Sequence, residues 1–281
     1  MTEQLSSVRI CFIGAGNMAR ALIGGLIDRG AQAMHLRAAD PVAAQLDTLK
    51  SQYGIEITSD NVSAARGAQV VILAVKPQDL RSVATLLGPE LAAGHPLLIS
   101  VAAGIRATDI QRWTGSLPVV RAMPNRPALH GHGITALYAT SDVPAQHRAL
   151  AEDILGAVGA TLWLEREGDM DTVTALSGSG PAYYFLLTEI LEQAGISLGL
   201  SPQVSRKLAI ETAYGAGAMA REARESAATL REQVTSRGGT TEAALRHLES
   251  HDVRAIFAAA IAAAARRSAQ LADEFGTNQR V

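Results

Sequence analysis

Val8-Arg9-Ile10-Cys11-Phe12-Ile13 runs without a break into Gly14-Ala15-Gly16-Asn17-Met18-Ala19, and no other stretch of the chain limits its fold so tightly. A short apolar run rich in β-branched residues suits a strand buried on both faces of a parallel sheet. Gly14 then makes a tight turn, Gly16 lets the backbone approach a pyrophosphate, and Ala19, in place of a third glycine, still lets the next helix pack closely. A helical pattern follows to Asp28-Arg29, with Gly30 as its C-cap. Strand, glycine turn and helix in this order are the fingerprint of a dinucleotide-binding unit. Gly24 and Gly25 inside the helix each cost about 1 kcal/mol, and close packing of helix on sheet is the expected compensation.

The strands that follow fit the same plan. The second is expected within residues 33–39, ending at Asp40-Pro41. Asp40 stands 24 residues beyond Gly16 (40 minus 16), near the spacing at which an acidic residue bonds the ribose hydroxyls of NAD. A carboxylate there repels the 2′-phosphate of NADP, although Arg37 is close by; strand alternation puts Arg37 and Ala39 on one face, which leaves its reach open. Asp40 reads equally as a helix N-cap ahead of Pro41 at the first helical position. Asn61 opens the next helix, either as its N-cap or as a cofactor contact. Buried strands are expected at 69–75, ended by Lys76-Pro77, at 97–101, ended by Ala102-Ala103-Gly104, and at 119–123, ended by Pro124-Asn125. Ligands of open α/β sheets gather at such carboxyl ends. Residues 133–138 and 160–164 read as two closing strands around a helix at 144–156. Beyond Glu165 the pattern is helical, at about 181–194, 202–224, 227–233, 241–250 and 253–275. The expected fold is α/β: a Rossmann-type doubly wound sheet over residues 1–166, then an all-helical domain over 167–281.

Two domains suit a chain of 281 residues that is 48% hydrophobic. A formal charge of −2 without basic runs argues against a nucleic-acid or membrane surface. Residues 1–7 lack the basic start and apolar core of a signal peptide, and the apolar stretch 255–265 is too short to span a bilayer, so a cytoplasmic location is expected. Cys11 is the only cysteine and reads as a buried strand residue; His130-Gly131-His132 has no carboxylates beside it, and no metal site is expected. Gly178-Ser179-Gly180 follows a helical pattern, not a strand, and so is no nucleophile elbow. Lys207 is the only lysine of the helical half. The lack of a strong general base points to a substrate that accepts hydride without one, such as a protonated imine. Val234-Thr235-Ser236-Arg237-Gly238-Gly239-Thr240-Thr241 has two glycines for a tight turn and two threonines as candidate N-caps. It reads as a plain capped turn or as an anion site for a substrate carboxylate.

Taken together, Phe12–Ala19, Ala74-Val75-Lys76-Pro77, Val101-Ala102-Ala103-Gly104, Arg121-Ala122-Met123-Pro124-Asn125, Leu176-Ser177-Gly178-Ser179-Gly180-Pro181-Ala182-Tyr183 and the 234–241 turn resemble the motifs of the pyrroline-5-carboxylate reductases, in order along the chain. The resemblance implies NADPH- or NADH-dependent reduction of 1-pyrroline-5-carboxylate to proline. It implies that Ile13, Gly14, Ala15, Gly16, Asn17, Met18, Asp40, Asn61, Ala74, Val75, Lys76, Pro77, Ala102, Ala103, Gly104 and Asn125 lie along the cofactor. Glu167, Ser236, Gly238, Gly239, Thr240 and Thr241 would contact substrate, with Thr241 nearest the ring nitrogen as the catalytic residue. It further implies an intertwined homodimer, often assembled into rings, whose second subunit helps build the site. Arg237 replaces the family's usual proline, Arg126 its frequent threonine, and Asp40 a serine or threonine found in some relatives. A β-hydroxyacid dehydrogenase shares the two-domain plan but needs a lysine on the helix after the Gly-rich turn, and residues 183–194 contain none. A non-catalytic dinucleotide sensor would have no use for the 234–241 turn.

Overall fold

The computed structural model describes residues 3–276. β1 (Ile10–Ile13) is buried at every position, and its side chains alternate between two cores: Ile10 and Phe12 face one, Cys11 and Ile13 the other. The glycine turn leads into α1 (Asn17–Asp28), then β2 (Leu36–Ala39), α2 (Ala43–Tyr53), β3 (Glu56–Thr58), α3 (Asn61–Ala65) and β4 (Val70–Leu73). After α4 (Pro77–Gly94) come β5 (Leu97–Ser100), α5 (Ala107–Thr114), β6 (Val119–Met123), β7 (Gly133–Ala139), α6 (Ala145–Leu155) and β8 (Gly159–Trp163). The strands form one sheet in the order β3-β2-β1-β4-β5-β6-β7-β8, parallel except where β7 runs against β6. β2 and β4 flank β1 on opposite sides, so the connections diverge at the carboxyl end of β1 and open the crevice there.

β3 is a strand that hydrophobic patterning misses. It has three residues, Glu56-Ile57-Thr58, sits at the sheet edge and is held partly by a 2.8 Å ion pair between Glu56 and Arg37 of β2. The glycines of α1 are compensated differently from expectation. A Cβ on Gly24 would lie 2.7 Å from the Tyr53 hydroxyl, and one on Gly25 2.6 Å from the Ala157 carbonyl oxygen. Their packing partners are the end of α2 and the turn after α6, not the sheet. The cap of α1 is Arg29, and Gly30, one residue later, takes φ +90°.

By contacts the chain divides into two units: residues up to Gly178 with those from Ala264 on, and Ser179–Ala263. The first unit also holds α7 (Asp169–Val173) and a π turn, Thr174–Gly178. The second contains α8 (Gly180–Ser197), α9 (Pro202–Glu222), α10 (Ala227–Gln233) and α11 (Thr240–Ser250). The division falls inside α12 (Val253–Gly276). α8 packs against α9, where Ser205 Oγ donates to the Glu192 carbonyl at 2.5 Å, a contact that only a glycine at 195 leaves room for. No helix among the described residues is long and apolar enough to cross a membrane.

Candidate active site

The glycine turn is built for close approach. Gly14 N–H donates to the Ala39 carbonyl at 2.7 Å, its φ is +103°, and a Cβ there would lie 2.6 Å from the Ala74 carbonyl oxygen. Only glycine fits both the angle and the space. Gly16 is the N-cap of α1 and no side chain caps it, so the first N–H groups of that helix remain open to an anion. Two cavities of about 370 Å³ each share Gly16. One continues along Ala15, Asn17, Arg20, Gln45 and Thr48; the other runs from Gly14 past Asp40, Asn61, Ala74, Val75 and Lys76. Backbone that no Cβ could enter, an uncapped helix start and an adjoining pair of cavities fit a dinucleotide, with its pyrophosphate at the shared glycine.

Asp40 is buried with both oxygens engaged: Oδ2 accepts from Ala15 N–H and Oδ1 from Val42 N–H, each at 2.8 Å. It is no helix N-cap, because α2 starts at Ala43 with Val42 as its cap. Arg37 points elsewhere, its Nη1 on the Ser63 and Ala64 carbonyls and its Nη2 on Glu56. Asn61 lines the second cavity, but the cap of α3 is Asp60, which accepts from the Val62 and Ser63 N–H groups. Lys76 caps α4 with Pro77 at the first helical position.

Other residues expected along the cofactor lie off these two cavities. Ile13 is fully buried and Met18 packs on the core. Ala102, Ala103 and Gly104 follow β5, with Gly104 at φ +69° and a would-be Cβ 3.3 Å from Leu271 Cβ. Asn125 is a clip: its Oδ1 accepts from Ile134 N–H at 3.0 Å and its Nδ2 donates to the Ser177 carbonyl at 3.1 Å. Sequence reasoning missed Arg20, Gln45, Thr48, Ser59 and Asp79 as cavity residues. For Gln45 a signal exists, since it stands in the first turn of the helix right after Asp40, with Thr48 one turn further along.

Glu167 belongs to the first unit. Its Oε1 accepts from Ala107 N–H at 2.6 Å and from Arg121 Nη1 at 3.0 Å, with the Arg121 side chain only 5% exposed. In the second unit, Gly239 caps α11 and no side chain does; Thr240 and Thr241 are its first two helical residues, not its caps. Gly238 takes φ +73°, its N–H donates to Glu242 Oε2 at 2.7 Å, and Gly239 N–H donates to the Ser236 carbonyl at 3.0 Å. The Thr240 and Thr241 hydroxyls have no hydrogen-bond partner among the described residues, and Arg237 is exposed. The turn therefore presents unused hydroxyls and the N–H groups of an uncapped helix, the chemistry that holds a small carboxylate.

Residues 167–271 match the model of pyrroline-5-carboxylate reductase dimerisation, and 9–104 that of the coenzyme F420-dependent NADP oxidoreductases. The pyrroline-5-carboxylate reductase of Pseudomonas aeruginosa is 44% identical over 97% of this chain and 100% of its own length. That of Vibrio alginolyticus is 39% identical over 94% and 97%. Among solved structures, the Coxiella burnetii pyrroline-5-carboxylate reductase superposes with a TM-score of 0.90 at 40% identity, over 94% of this chain and 98% of that one. The Plasmodium falciparum pyrroline carboxylate reductase with NADP bound gives 0.84 at 29% identity, over 95% and 99%. A prephenate dehydrogenase from Aquifex aeolicus, at 14% identity and a TM-score of 0.55 over 90% and 99%, shares the fold alone. With likeness running the length of both units, and the glycine turn and the α11 start in their expected places, the chain belongs to the pyrroline-5-carboxylate reductase family.

Proposed function

We infer that this chain is an NAD(P)H-dependent oxidoreductase that reduces 1-pyrroline-5-carboxylate to L-proline, the final step of proline biosynthesis. The observation that carries the reading is the 44% identity over 97% of the chain, which joins the glycine turn and the α11 start in one sequence. The cofactor, when bound, supplies the hydride. Residues 1–166 form the dinucleotide-binding domain, with Gly14 and Gly16 giving the backbone approach and the start of α1 taking the pyrophosphate. Residues 167–281 form the substrate-binding and dimerisation domain. Ser236, Gly238 and Gly239 hold the substrate carboxylate, for which the two glycine N–H groups exchange their present acceptors, Glu242 and the Ser236 carbonyl. Thr240 and Thr241 line the ring, with the Thr241 hydroxyl at the nitrogen that gains a proton. No strong base is required, because the protonated C=N carbon is already electrophilic and orientation supplies most of the rate.

The chain works as a homo-oligomer. α8 is apolar around most of its circumference yet leaves Tyr184, Phe185, Ile190 and Leu191 exposed in the single chain, as expected of a helix that a second copy covers. Assembly of dimers into a ring and a cytoplasmic location complete the proposal. The test is nicotinamide oxidation by purified protein: it should depend on added imine and yield proline, and no turnover with either NADH or NADPH would sink the reading.

A further inference from the structure

We propose that Asp40 selects between the two nicotinamide cofactors by disfavouring a 2′-phosphate, so that NADH is the preferred donor; this rests on the reductase reading above. NADH and NADPH differ only at the 2′ position of the adenine ribose, where an acidic residue after the second strand bonds the free hydroxyl. Asp40 stands at that place and lines the cavity that opens at Gly14 and Gly16. Each of its oxygens accepts one backbone N–H, from Ala15 or Val42, and keeps a second lone pair. Ribose hydroxyls can donate to those lone pairs. A phosphate of charge about −1.5 to −2 can only accept, and would meet a fixed like charge.

The surroundings offer a 2′-phosphate little in return. Arginine is the residue that accommodates this group, and Arg37, the arginine nearest in sequence, is tied to two carbonyls and Glu56. Of the charged residues lining the cavity, Lys76 is outnumbered by Asp40 and Asp79. The start of α2 carries about half a positive charge, less than the full negative charge of Asp40. Pro41 has no N–H to give, and the Val42 N–H is already taken. The same two hydrogen bonds hold Asp40 rigidly, so the carboxylate cannot swing aside.

Calorimetric titration of the full chain with NAD+ and NADP+ tests this without turnover. NAD+ should bind at least tenfold more tightly. Asp40→Asn, which keeps an acceptor oxygen for the turn, should move the affinity ratio at least tenfold toward NADP+. Val42→Arg leaves Asp40 and its bonds in place, adds a cation at the rim, and should move the ratio in the same direction. NADP+ binding as tightly as NAD+ in the unaltered chain, or a ratio unmoved in both variants, overturns the proposal while leaving the reductase reading intact. Binding of neither nucleotide would remove the reductase reading itself.

Discussion

Glu167 Oε1 accepts two hydrogen bonds at once, from the Ala107 backbone and from a nearly buried arginine, so it is placed to hold the start of α5 against β6. Arg121→Met should lower stability by about 3 kcal/mol, because a mostly buried carboxylate loses its cation, and the urea midpoint reads this directly. Glu167→Gln retains an acceptor and should cost only about 1 kcal/mol; a raised KM for the imine at unchanged stability would instead place Glu167 at the substrate. Thr241→Ala should cut turnover by about a hundredfold, in the range of a lost proton-transfer group, while cofactor affinity stays within about twofold. Equal losses in both would make Thr241 a structural residue. Cys11 gives a pH signature. Burial pushes its thiol up to about 12, with Arg37 opposing and Glu56 adding. The folded chain therefore holds this proton where the unfolded chain releases it, so stability falls as pH rises from about 9 toward about 12. The slope attributable to Cys11 is up to about 1.4 kcal/mol per pH unit, and Cys11→Ala should remove it from a pH series of unfolding midpoints. At this scale the sequence made Gly14 legible, because its role depends on backbone geometry encoded locally. It did not reveal Asn125 as a clip, whose partners Ile134 and Ser177 lie 9 and 52 residues away.

At the scale of elements, the strands buried on both faces were legible to within a residue or two, since burial on both faces leaves an uninterrupted apolar run. Val119–Met123 is such a case; the run at 69–75 overshoots because Ala74 and Val75 leave the sheet to line the cavity. β3 was invisible, being an edge strand whose residues need face only one core. Helix starts were harder to place. Which residue caps a helix depends on one dihedral pair, so Asp60 rather than Asn61, and Gly239 rather than a threonine, took that position. The α11 start makes a prediction of its own. Gly238→Ala places a Cβ at φ +73° with no steric neighbour within 4 Å, so the cost is backbone strain alone, about 1 to 2 kcal/mol. It should raise the KM for the imine carboxylate at least fivefold and leave cofactor affinity unmoved; an unchanged KM would take the turn out of the carboxylate site.

For the whole molecule, oligomerisation is the expected fate of the bare helical faces in the second unit. Burying each large apolar side chain contributes about 1.5 to 3 kcal/mol, and Phe185, Ile190 and Leu191 on α8 are joined by Val204, Leu208 and Ile210 on α9. Ile190→Glu should shift the chain to monomer in sedimentation velocity and lower activity with it, whereas an unchanged sedimentation coefficient would exclude this face from the interface. A second copy was implied in the sequence only by the family resemblance, and nothing in its patterning assigns the end of the chain to the contacts of the first unit. The first unit includes the final turns of α12, held by Arg106 to Asp273 at 2.5 Å, by Arg112 to the Gly276 carbonyl at 2.9 Å, and by Phe275 against a buried cluster. A helix shared in this way has a consequence for how the protein is made. Emerging from the ribosome, the sheet is complete in sequence at Trp163, yet it waits for about a hundred further residues before its last packing segment appears. Until then the side of the buried cluster that receives Phe275 stays open, so the nascent chain carries a sticky intermediate whose lifetime is set by translation speed. A refolding reaction started from the full chain skips that wait, and pulse proteolysis of stalled ribosome complexes should find the sheet less protected before residue 276 is released than after.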